Sequence, residues 1–296
     1  MTLRHVLFPR VTIIGVGLIG GSLALALKKG RIAEEIRGVD RSKENLQKAV
    51  ALGMLDRAFL DPSLGVDGSD LVVLATPVGA IVEVAEEIAP RLKVGSILTD
   101  VGSVKAPVVE ELERLLPSGR WAVGGHPIAG RERSGAEAAS ADLFVGAKCI
   151  LTPTPRTDPG ALERVKAFWE RMGAEVVLMD PVRHDEVFAA VSHLPHVVAY
   201  SLMGAILALE DDGGPMLEFA AGAFKDFTRV AMSHPTMWRD ICLYNRGPLL
   251  QMIGRFKTAL TRLEGLIEAS DGEGLFRAFE RAKLVRENLE GGIGNR

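Results

Sequence analysis

The amino-acid sequence predicts an α/β fold in which a mainly parallel sheet is followed by an all-helical part. Three observations predict it. Short apolar runs alternate with helical patterns over residues 1–180, a glycine-rich turn joins the first run to the first helical pattern, and strand signals stop near Pro181. The length of 296 residues corresponds to about two domains, which we expect at residues 1–180 and 181–296.

Seven apolar runs in the first part predict strands, because each is short and rich in β-branched or other large apolar residues. The predicted strands are Val11–Ile14, Ile36–Val39, Leu71–Ala75, Ile97–Asp100, Trp121–Val123, Cys149–Thr152 and Val176–Met179. The predicted helices between them are Gly20–Lys29, Lys43–Leu52, Ala80–Arg91, Lys105–Leu115 and Gly160–Met172. This alternation is typical of a parallel sheet with helices on both faces.

The residues after Pro181 have apolar positions at helical spacing. The predicted helices are Asp185–Leu209, Met216–Met232, Leu249–Ser270 and Leu275–Leu289. Turn residues at 211–215 and 234–235 separate them. Their long apolar stripes are typical of a helical domain that binds substrate and pairs subunits. We therefore expect a homodimer, with a ligand cleft between the two domains.

The glycine-rich turn has the pattern G-x-G-x-x-G, formed by Gly15, Gly17 and Gly20. A predicted strand precedes it and a predicted helix follows it, which is the context that a dinucleotide-binding turn requires. The first glycine makes the tight turn, the second lets the backbone approach a pyrophosphate, and the third lets helix and strand pack closely. The pattern predicts a Rossmann-type, parallel-sheet nucleotide-binding domain at the N-terminus, with an all-helical domain at the C-terminus.

An acidic residue, Asp40, lies 20 positions after Gly20, at the end of the next apolar run. A carboxylate there accepts hydrogen bonds from the ribose hydroxyls of the cofactor and repels a 2′-phosphate, which favours NAD over NADP. The neighbouring Arg41 leaves NADP open, since an arginine can bind a 2′-phosphate. The predicted cofactor-binding residues are Gly15, Gly17, Leu18, Ile19, Gly20, Asp40, Arg41, Thr76 and Pro77.

Composition excludes several classes of protein. The net charge of −3 gives no electrostatic footprint for nucleic acid. We expect no apolar stretch that is long enough to span a bilayer. Residues 1–10 lack the cleavage site of a signal peptide. Neither Cys149 nor Cys242 belongs to a C-x-x-C motif. We therefore expect a cytoplasmic protein that binds no metal, no nucleic acid and no membrane.

His126 lies in the segment VGGHPIAGRERSG, directly after a Gly-Gly pair. We expect a rigid loop that follows the strand Trp121–Val123 and holds the imidazole at the carboxyl end of the sheet. A neutral imidazole in that place can accept a hydroxyl proton while hydride leaves the same carbon, because its unperturbed pKa lies near about 6.5. A surface or packing histidine is the alternative interpretation.

Two strand ends carry hydroxyl side chains near the expected cofactor. Ser103, in the segment DVGSVK, is expected to be the N-cap of the following helix, and also to orient His126 or to touch the nicotinamide. Thr76 and Pro77 end another predicted strand, and Pro77 is expected near the first turn of the next helix.

Ser192, His193 and His196 lie close together in AAVSHLPHVVAYSL, where Pro195 starts or kinks a helix. A zinc site formed by His184, His193 and His196 is disfavoured, because the HExxH spacing and a carboxylate in register are missing. For His196, a place in the substrate cleft and a place in the core remain open.

The segment FKDFTR places Asp226 and Arg229 three residues apart on an apolar helix, where they can pair. The planar guanidinium of arginine binds carboxylates in a bidentate manner, so Arg229 suits an anionic substrate. Trp238 in MWRD is expected either to form an apolar wall of the site or to lie in the core. A surface salt bridge is the alternative interpretation for Arg229.

These segments resemble the prephenate/arogenate dehydrogenases of tyrosine biosynthesis. The matching segments are IIGVGLIGGSLA, DVGSVK, GGHPIAGRERSG, SHLPH, FKDFTR and MWRD, in family order and in both parts of the chain. The resemblance implies a C-terminal dimerisation domain and the NAD-dependent oxidative decarboxylation of prephenate to 4-hydroxyphenylpyruvate. The length of 296 residues leaves no room for the ACT or chorismate mutase domains that some relatives carry.

The resemblance also implies roles for particular residues. His126 would accept the proton of the ring hydroxyl, and Ser103 would support it. Arg229 would hold a substrate carboxylate, inside an ionic network at the mouth of the site. The implied substrate-binding residues are Arg229, His196, Ser192, Trp238, Glu132 and Asp226. Tyrosine is a candidate feedback inhibitor.

Four other functions remain open from the residues alone. An arogenate dehydrogenase would share every motif, since arogenate differs from prephenate in carrying an amino acid in place of a keto acid. A β-hydroxyacid dehydrogenase would depend on a lysine of the helical domain, for which Lys225 is the residue to test. An NAD-sensing regulatory protein would bind cofactor but not need His126. A structural protein that binds NAD would expose an apolar helix seam and need no carboxylate-binding arginine.

Overall fold

The computed structural model describes residues 6–130, 135–213 and 215–293. Its strands join into one eight-stranded sheet in the order β3-β2-β1-β4-β5-β6-β7-β8. The strands are β1 (Phe8–Ile14), β2 (Ala33–Val39), β3 (Arg57–Phe59), β4 (Leu71–Leu74), β5 (Ile97–Asp100), β6 (Trp121–Pro127), β7 (Lys148–Thr152) and β8 (Glu175–Leu178). The α/β fold with a nucleotide-binding type of sheet is therefore confirmed.

Six of the seven strand pairings are parallel, and β6 and β7 pair antiparallel. In the centre of the sheet, Ile14 of β1 stands beside Leu74 of β4, which stands beside Asp100 of β5. The carboxyl ends of these strands meet at one edge, which is where ligands bind in open α/β sheets.

Helices connect the strands and continue after the last one. Before β8 they are α1 (Leu18–Gly30), α2 (Lys43–Ala51), α3 (Pro62–Gly65), α4 (Val78–Ile88), α5 (Ala106–Leu115) and α6 (Pro159–Arg171). After β8 they are α7 (Pro181–Phe188), α8 (Leu194–Gly213), α9 (Gly222–Thr228), α10 (Pro235–Tyr244), α11 (Arg246–Glu268) and α12 (Gly272–Ile293). No strand follows β8 in the described residues, as the sequence predicts.

Two apolar clusters cover the two faces of the sheet. One contains Leu23 of α1 together with Phe168 and Trp169 of α6. The other includes Trp238 and Ile241 of α10, packed with residues of α4 and α5. α10 is therefore packed directly against α4 and α5.

Several predicted elements differ from the observed ones. The sequence missed β3, α3 and α10, and the predicted helix Met216–Met232 is a 3₁₀ turn, then α9, then a second 3₁₀ turn at Arg229–Met232. β6 does not stop at Val123. It continues through Pro127, because β7 pairs with its second half after β5 has ended.

A continuous helix runs over Pro181–Leu209, where α7 and α8 are joined by a π-helical turn at Ala189–His193. Among the described residues, this helix is long and apolar enough to cross a membrane by length and composition. The expectation that no apolar stretch reaches that length was wrong, because α7 and α8 form one continuous helix that Pro195 does not interrupt. The same helix carries the buried polar side chains of His184, Asp185 and His193.

The chain divides into two compact units, residues 1–246 and residues 247–296. The second unit consists of α12 and nearly all of α11. Many of its large apolar side chains are exposed: Leu250, Phe256, Leu260, Ile267, Phe276, Phe279, Leu284, Val285 and Leu289.

Candidate active site

The glycine turn after β1 has a different steric demand at each of its three glycines. Gly15 has a φ of +95°, and a Cβ there would lie 2.5 Å from the Ala75 carbonyl oxygen. A Cβ on Gly20 would lie 1.9 Å from the Gly15 carbonyl oxygen. A Cβ on Gly17 would meet no atom of the described residues within 4 Å. Gly15 and Gly20 are therefore required by the fold, whereas Gly17 borders open space at the N-terminus of α1, next to Leu18 and Ile19.

Asp40 lies at the end of β2, beside the glycine turn. Its carboxylate accepts hydrogen bonds from the backbone N–H of Val16 at 3.0 Å and of Ser42 at 2.8 Å. These bonds fix the carboxylate at the edge of the sheet, while Arg41 next to it is exposed. The arrangement fits the ribose of a dinucleotide, with Asp40 accepting hydrogen bonds from the ribose hydroxyl groups.

Thr76 and Pro77 follow β4 at the same edge. Pro77 is the N-cap residue of α4, close to the place expected. The hydroxyl of Thr76 is buried and has no hydrogen-bond partner among the residues that the structure describes. A buried polar atom without a partner is uncommon, so Thr76 offers a hydrogen-bonding group to a ligand at this edge.

His126 lies in β6, not on a loop as the sequence predicted. The strand continues there because His126 pairs with Ile150 of β7. The Gly-Gly pair before it is needed for close packing. A Cβ on Gly124 would lie 2.4 Å from Thr152 Oγ1, and one on Gly125 would lie 2.8 Å from the Asp100 carbonyl oxygen.

The partly exposed imidazole of His126 is held by a chain of side chains. Its Nδ1 lies 2.8 Å from Nε2 of His184, and Nδ1 of His184 lies 2.8 Å from a carboxylate oxygen of Asp185. The ring of Phe188 packs on both imidazoles, with centroids 4.7 Å from His126 and 4.5 Å from His184. A strand of the sheet and a helix of the second part are thus joined at one polar cluster.

A buried ion pair supports the same edge of the sheet. The side chains of Lys105 and Asp100 are fully buried and form a salt bridge. The ammonium of Lys105 also donates to the Gly125 carbonyl oxygen at 2.9 Å, and Asp100 accepts from the Gly125 backbone N–H at 3.2 Å. The pair fixes the backbone of β6 next to His126.

The surroundings keep His126 neutral. Burial lowers its pKa well below 6.5, and the neighbouring His184, Lys105 and His193 lower the pKa further. A histidine with a lowered pKa is in its base form at neutral pH, so His126 is able to accept a proton there.

Ser103 is not the N-cap of α5, contrary to the expectation. The N-cap residue is Lys105, and the first N–H groups of the helix are bound by a remote carboxylate. Asp185 accepts from the backbone N–H of Lys105 at 2.7 Å and of Ala106 at 2.8 Å. Ser103 lies in the turn between β5 and α5, where its role toward His126 stays a prediction.

His196 and Trp238 lie face to face, with ring centroids 3.6 Å apart and an interplanar angle of 20°. His196 Nδ1 contacts the carbonyl oxygen of Ser192 at 2.9 Å. The pKa of His196 is lowered, first by burial and also by the positive charge of Arg229. Asp226 and Arg229 are both exposed, on α9 and on the 3₁₀ turn after it.

One predicted site residue, Glu132, lies outside the described residues.

The sequence analysis did not identify the group of residues that surrounds and supports His126. These residues are His184, Asp185, Lys105 and Asn245. The Asn245 amide lies 2.8 Å from the carbonyl oxygen of Asp185 and 2.9 Å from Nδ1 of His193, and so ties α10 to the same cluster. The signal available in the sequence was the adjacent His-Asp pair at 184–185, which lies near the start of the helix Pro181–Leu209.

The fold and the glycine turn define the class: a Rossmann-type nucleotide-binding protein with a helical second part and a neutral histidine at the ligand-binding edge of the sheet. Comparison with known proteins narrows the class to a family. The family model described as "Prephenate dehydrogenase, nucleotide-binding domain" matches residues 23–178. The model described as "Prephenate dehydrogenase, dimerization domain" matches residues 180–281.

Individual relatives agree with these matches. The chain is 40% identical to prephenate dehydrogenase of Bacillus subtilis, over 94% of this chain and 76% of that protein. It is 38% identical to cyclohexadienyl dehydrogenase of Zymomonas mobilis, over 96% of this chain and 97% of that protein. The structure of Aquifex aeolicus prephenate dehydrogenase, in complex with hydroxyphenyl propionate and NAD+, matches with a TM-score of 0.91 and 38% identity, and covers 98% of this chain and 100% of that one. The chain belongs to the prephenate dehydrogenase family, which confirms the resemblance seen in its motifs.

Proposed function

We propose that this protein catalyses the NAD-dependent oxidative decarboxylation of prephenate to 4-hydroxyphenylpyruvate, a step of tyrosine biosynthesis. The observation that carries the proposal is His126, a neutral imidazole held at the carboxyl edge of a dinucleotide-binding sheet. The Bacillus and Aquifex relatives named above are prephenate dehydrogenases, and their similarity extends over nearly the whole chain.

The residues at the edge fit NAD. Open space at Gly17 allows the backbone to approach a pyrophosphate, and the Asp40 carboxylate stands where the adenosine ribose is bound in such folds. Leu18, Ile19, Thr76 and Pro77 complete the proposed surface, and exposed Arg41 lies at its rim. Bound NAD supplies the acceptor for the hydride that the substrate loses.

His126 acts as the general base. It accepts the proton of the ring hydroxyl as the carbinol carbon is oxidised to a ketone, and proton transfer of this kind contributes about 10²- to 10⁴-fold to the rate. The ketone then withdraws electrons from the ring, so the ring carboxylate leaves as carbon dioxide and the ring becomes aromatic. The hydroxyl oxygen of the product regains a proton. Ser103, in the turn between β5 and α5, is proposed to support His126.

The anionic groups of the substrate need positive partners. Arg229 is proposed to bind a carboxylate, since its planar guanidinium suits bidentate binding and its positive charge lowers the pKa of His196, which stacks on Trp238. Ser192, Glu132 and Asp226 are proposed to line the mouth of the same site, on the basis of the family motifs. We therefore propose that the substrate binds between the His196–Trp238 pair and His126.

Two steady-state measurements test the function. Purified protein with NAD and prephenate should produce NADH absorbance, and arogenate at the same concentration should give a lower kcat/KM. An arogenate preference would replace prephenate as the substrate and leave the chemistry unchanged. No turnover of either compound, with NAD bound, would instead favour the NAD-sensing regulatory protein.

The role of His126 is tested by His126→Asn. The substitution should lower kcat at least about 10²-fold and leave the dissociation constant for NAD unchanged, since it removes the base but not the nucleotide site. The matched control is His234→Asn, because His234 is exposed and its side chain caps no helix. Full activity of His126→Asn, or an equal loss in the control, would contradict the assignment. If Lys225→Ala alone abolished turnover, the chemistry would be that of a β-hydroxyacid dehydrogenase.

The wider organisation is part of the same proposal. We place the functional boundary between the nucleotide-binding domain 1–180 and the helical domain 181–296, in accord with the two family models, although compactness divides the chain after residue 246. The exposed apolar side chains of α11 and α12 and the match to a dimerisation domain support a homodimer. Light scattering should give twice the chain mass of 31.8 kDa.

The cellular setting follows from the proposed activity. We place the protein in the cytoplasm and assign the exposed apolar face of Pro181–Leu209 to protein contacts, because that helix carries buried charged and polar groups that bond to the sheet part. Tyrosine, which shares the 4-hydroxyphenyl group of the product, is the proposed feedback inhibitor. It should raise the apparent KM for prephenate in the same assay.

A further inference from the structure

We infer that His184 and Asp185 are positioning residues for the reaction, and that they hold His126 in the one tautomer that leaves its Nε2 free to accept the substrate proton. This inference rests on the proposed role of His126. The observation behind it is a line of three side chains, with His126 Nδ1 2.8 Å from His184 Nε2 and His184 Nδ1 2.8 Å from Asp185 Oδ1.

The direction of both hydrogen bonds in this line of side chains follows from Asp185, its last residue. The Asp185 carboxylate receives three N–H groups: those of the Lys105 and Ala106 backbones and of the His184 ring. An ionised carboxylate can only accept, so Nδ1 of His184 is the donor. A neutral imidazole carries one proton, which leaves Nε2 of His184 as an acceptor.

The same reasoning then applies to His126. Its Nδ1 faces the acceptor nitrogen of His184, so Nδ1 carries the proton and donates it. Because His126 is neutral, its Nε2 has a free lone pair. A free imidazole has no comparable constraint, and a base whose wrong nitrogen is protonated is inactive even where its position is unchanged.

The anchor of the line is rigid. Asp185 is 2% exposed and caps α5, while its backbone carbonyl oxygen lies 2.8 Å from the Asn245 amide. Phe188 stacks on the His184 ring at an angle of 27°, which fixes the plane of that imidazole. Rotation of His184 away from His126 would therefore break contacts on several sides.

The charges that face His184 come from several elements, and they agree with a neutral ring. Asp185 lies on its own helix, Lys105 precedes α5, Asp100 ends β5, and His126 lies in β6. Burial is the main cause that lowers the pKa of His184, and Lys105 lowers it further against the opposing effect of the two carboxylates. When His126 takes up a proton, Asp185 balances the new charge through His184.

Nitrogen-15 NMR of histidine-labelled protein with bound NAD tests the inference without a variant. Near neutral pH, the His126 ring should show a protonated Nδ1 and an unprotonated Nε2, with its signals assigned by their loss in His126→Asn. A dominant Nε2–H tautomer in the wild-type protein would overturn the inference.

Kinetics of three variants test the consequence for turnover. His184→Leu removes the acceptor and should lower kcat about 10²-fold, with KM for prephenate and the dissociation constant for NAD within about twofold of wild type. His184→Gln offers a carbonyl oxygen to Nδ1 of His126 and should recover about 10-fold of the loss. Arg183→Ala, on the same helix at an exposed position, is the matched control and should keep wild-type rates.

The outcomes separate this inference from the proposed function. If His184→Leu keeps wild-type kcat, or if Leu and Gln lower it equally, His184 does not position the base. If His126→Asn itself stays active, the proposed role of His126 fails and the inference fails with it. If wild-type protein turns over neither prephenate nor arogenate, the function fails, while the NMR tautomer still decides the geometry.

Discussion

The glycine turn allows one prediction to be worked out atom by atom, because two of its glycines differ in the space around them. A Cβ on Gly20 would lie 1.9 Å from the Gly15 carbonyl oxygen and 3.0 Å from Ile13 Cγ2. Within the described part of the chain, a Cβ on Gly17 would meet no atom within 4 Å. Gly20→Ala should therefore harm the fold, whereas Gly17→Ala should harm only the binding of NAD.

The expected magnitudes follow from the contacts. Gly20→Ala forces backbone against backbone, which places its cost near the upper end of the range for overpacking, about 3 kcal/mol. For a unit of this size, each kcal/mol lowers Tm by about 2–4 °C, so Tm should fall by about 6–12 °C. Gly17→Ala should change Tm by less than about 2 °C and raise the dissociation constant for NAD at least about 10-fold, because the methyl group occupies the space that the pyrophosphate needs.

Thermal unfolding without ligand and NAD titration by calorimetry measure the two effects separately. The pair serves as its own control, since both changes add one methyl group to the same turn. Equal losses of Tm in the two variants would refute the steric argument. Wild-type affinity for NAD in Gly17→Ala would show that the pyrophosphate does not approach this backbone.

Three further predictions concern charge. Asp40→Ser should relax the selectivity for NAD over NADP, measured as the ratio of kcat/KM values, and an unchanged ratio would count against a ribose contact. Lys105→Met should cost about 3–5 kcal/mol in the free energy of unfolding, because it leaves the buried carboxylate of Asp100 unpaired, whereas Lys93→Met at a partly exposed pair should cost less than about 1 kcal/mol in urea unfolding. The acid limb of the pH profile of kcat/KM should lie well below pH 6.5, since the lowered pKa keeps His126 in its base form until then; a limb at or above pH 6.5 would contradict the burial argument.

Six of the seven strands that the sequence predicted contain buried residues, and only β8 contains none. Leu71–Leu74 lies in the centre of the sheet and is buried at every position, so its apolar character is continuous and easily recognised. The sequence analysis missed β3 because this strand has only three residues at the edge of the sheet, and two of them are exposed. The sequence analysis also missed α10, although its buried residues Trp238 and Ile241 have the i, i+3 spacing of a helix.

The nucleotide site was predictable because its determinants are local. The glycines and the following helix lie within a few residues of each other, and the acidic residue lies one element further on. The place of His126 was predicted correctly only in part. The strand that contains His126 continues past Val123 because it pairs with Lys148–Thr152. The residues next to His126 in the sequence do not indicate that pairing.

The support of His126 could not be predicted for the same reason, and this decides which variants are informative. Asp185 caps α5 by accepting a hydrogen bond from the backbone N–H of Lys105, 80 residues earlier in the chain. It also accepts a hydrogen bond from the Nδ1–H of His184. A change at Asp185 therefore combines the loss of a helix cap with the loss of orientation at His126, and its effect on turnover cannot be assigned to either. His184 touches the base but caps nothing, so a substitution there separates chemistry from stability.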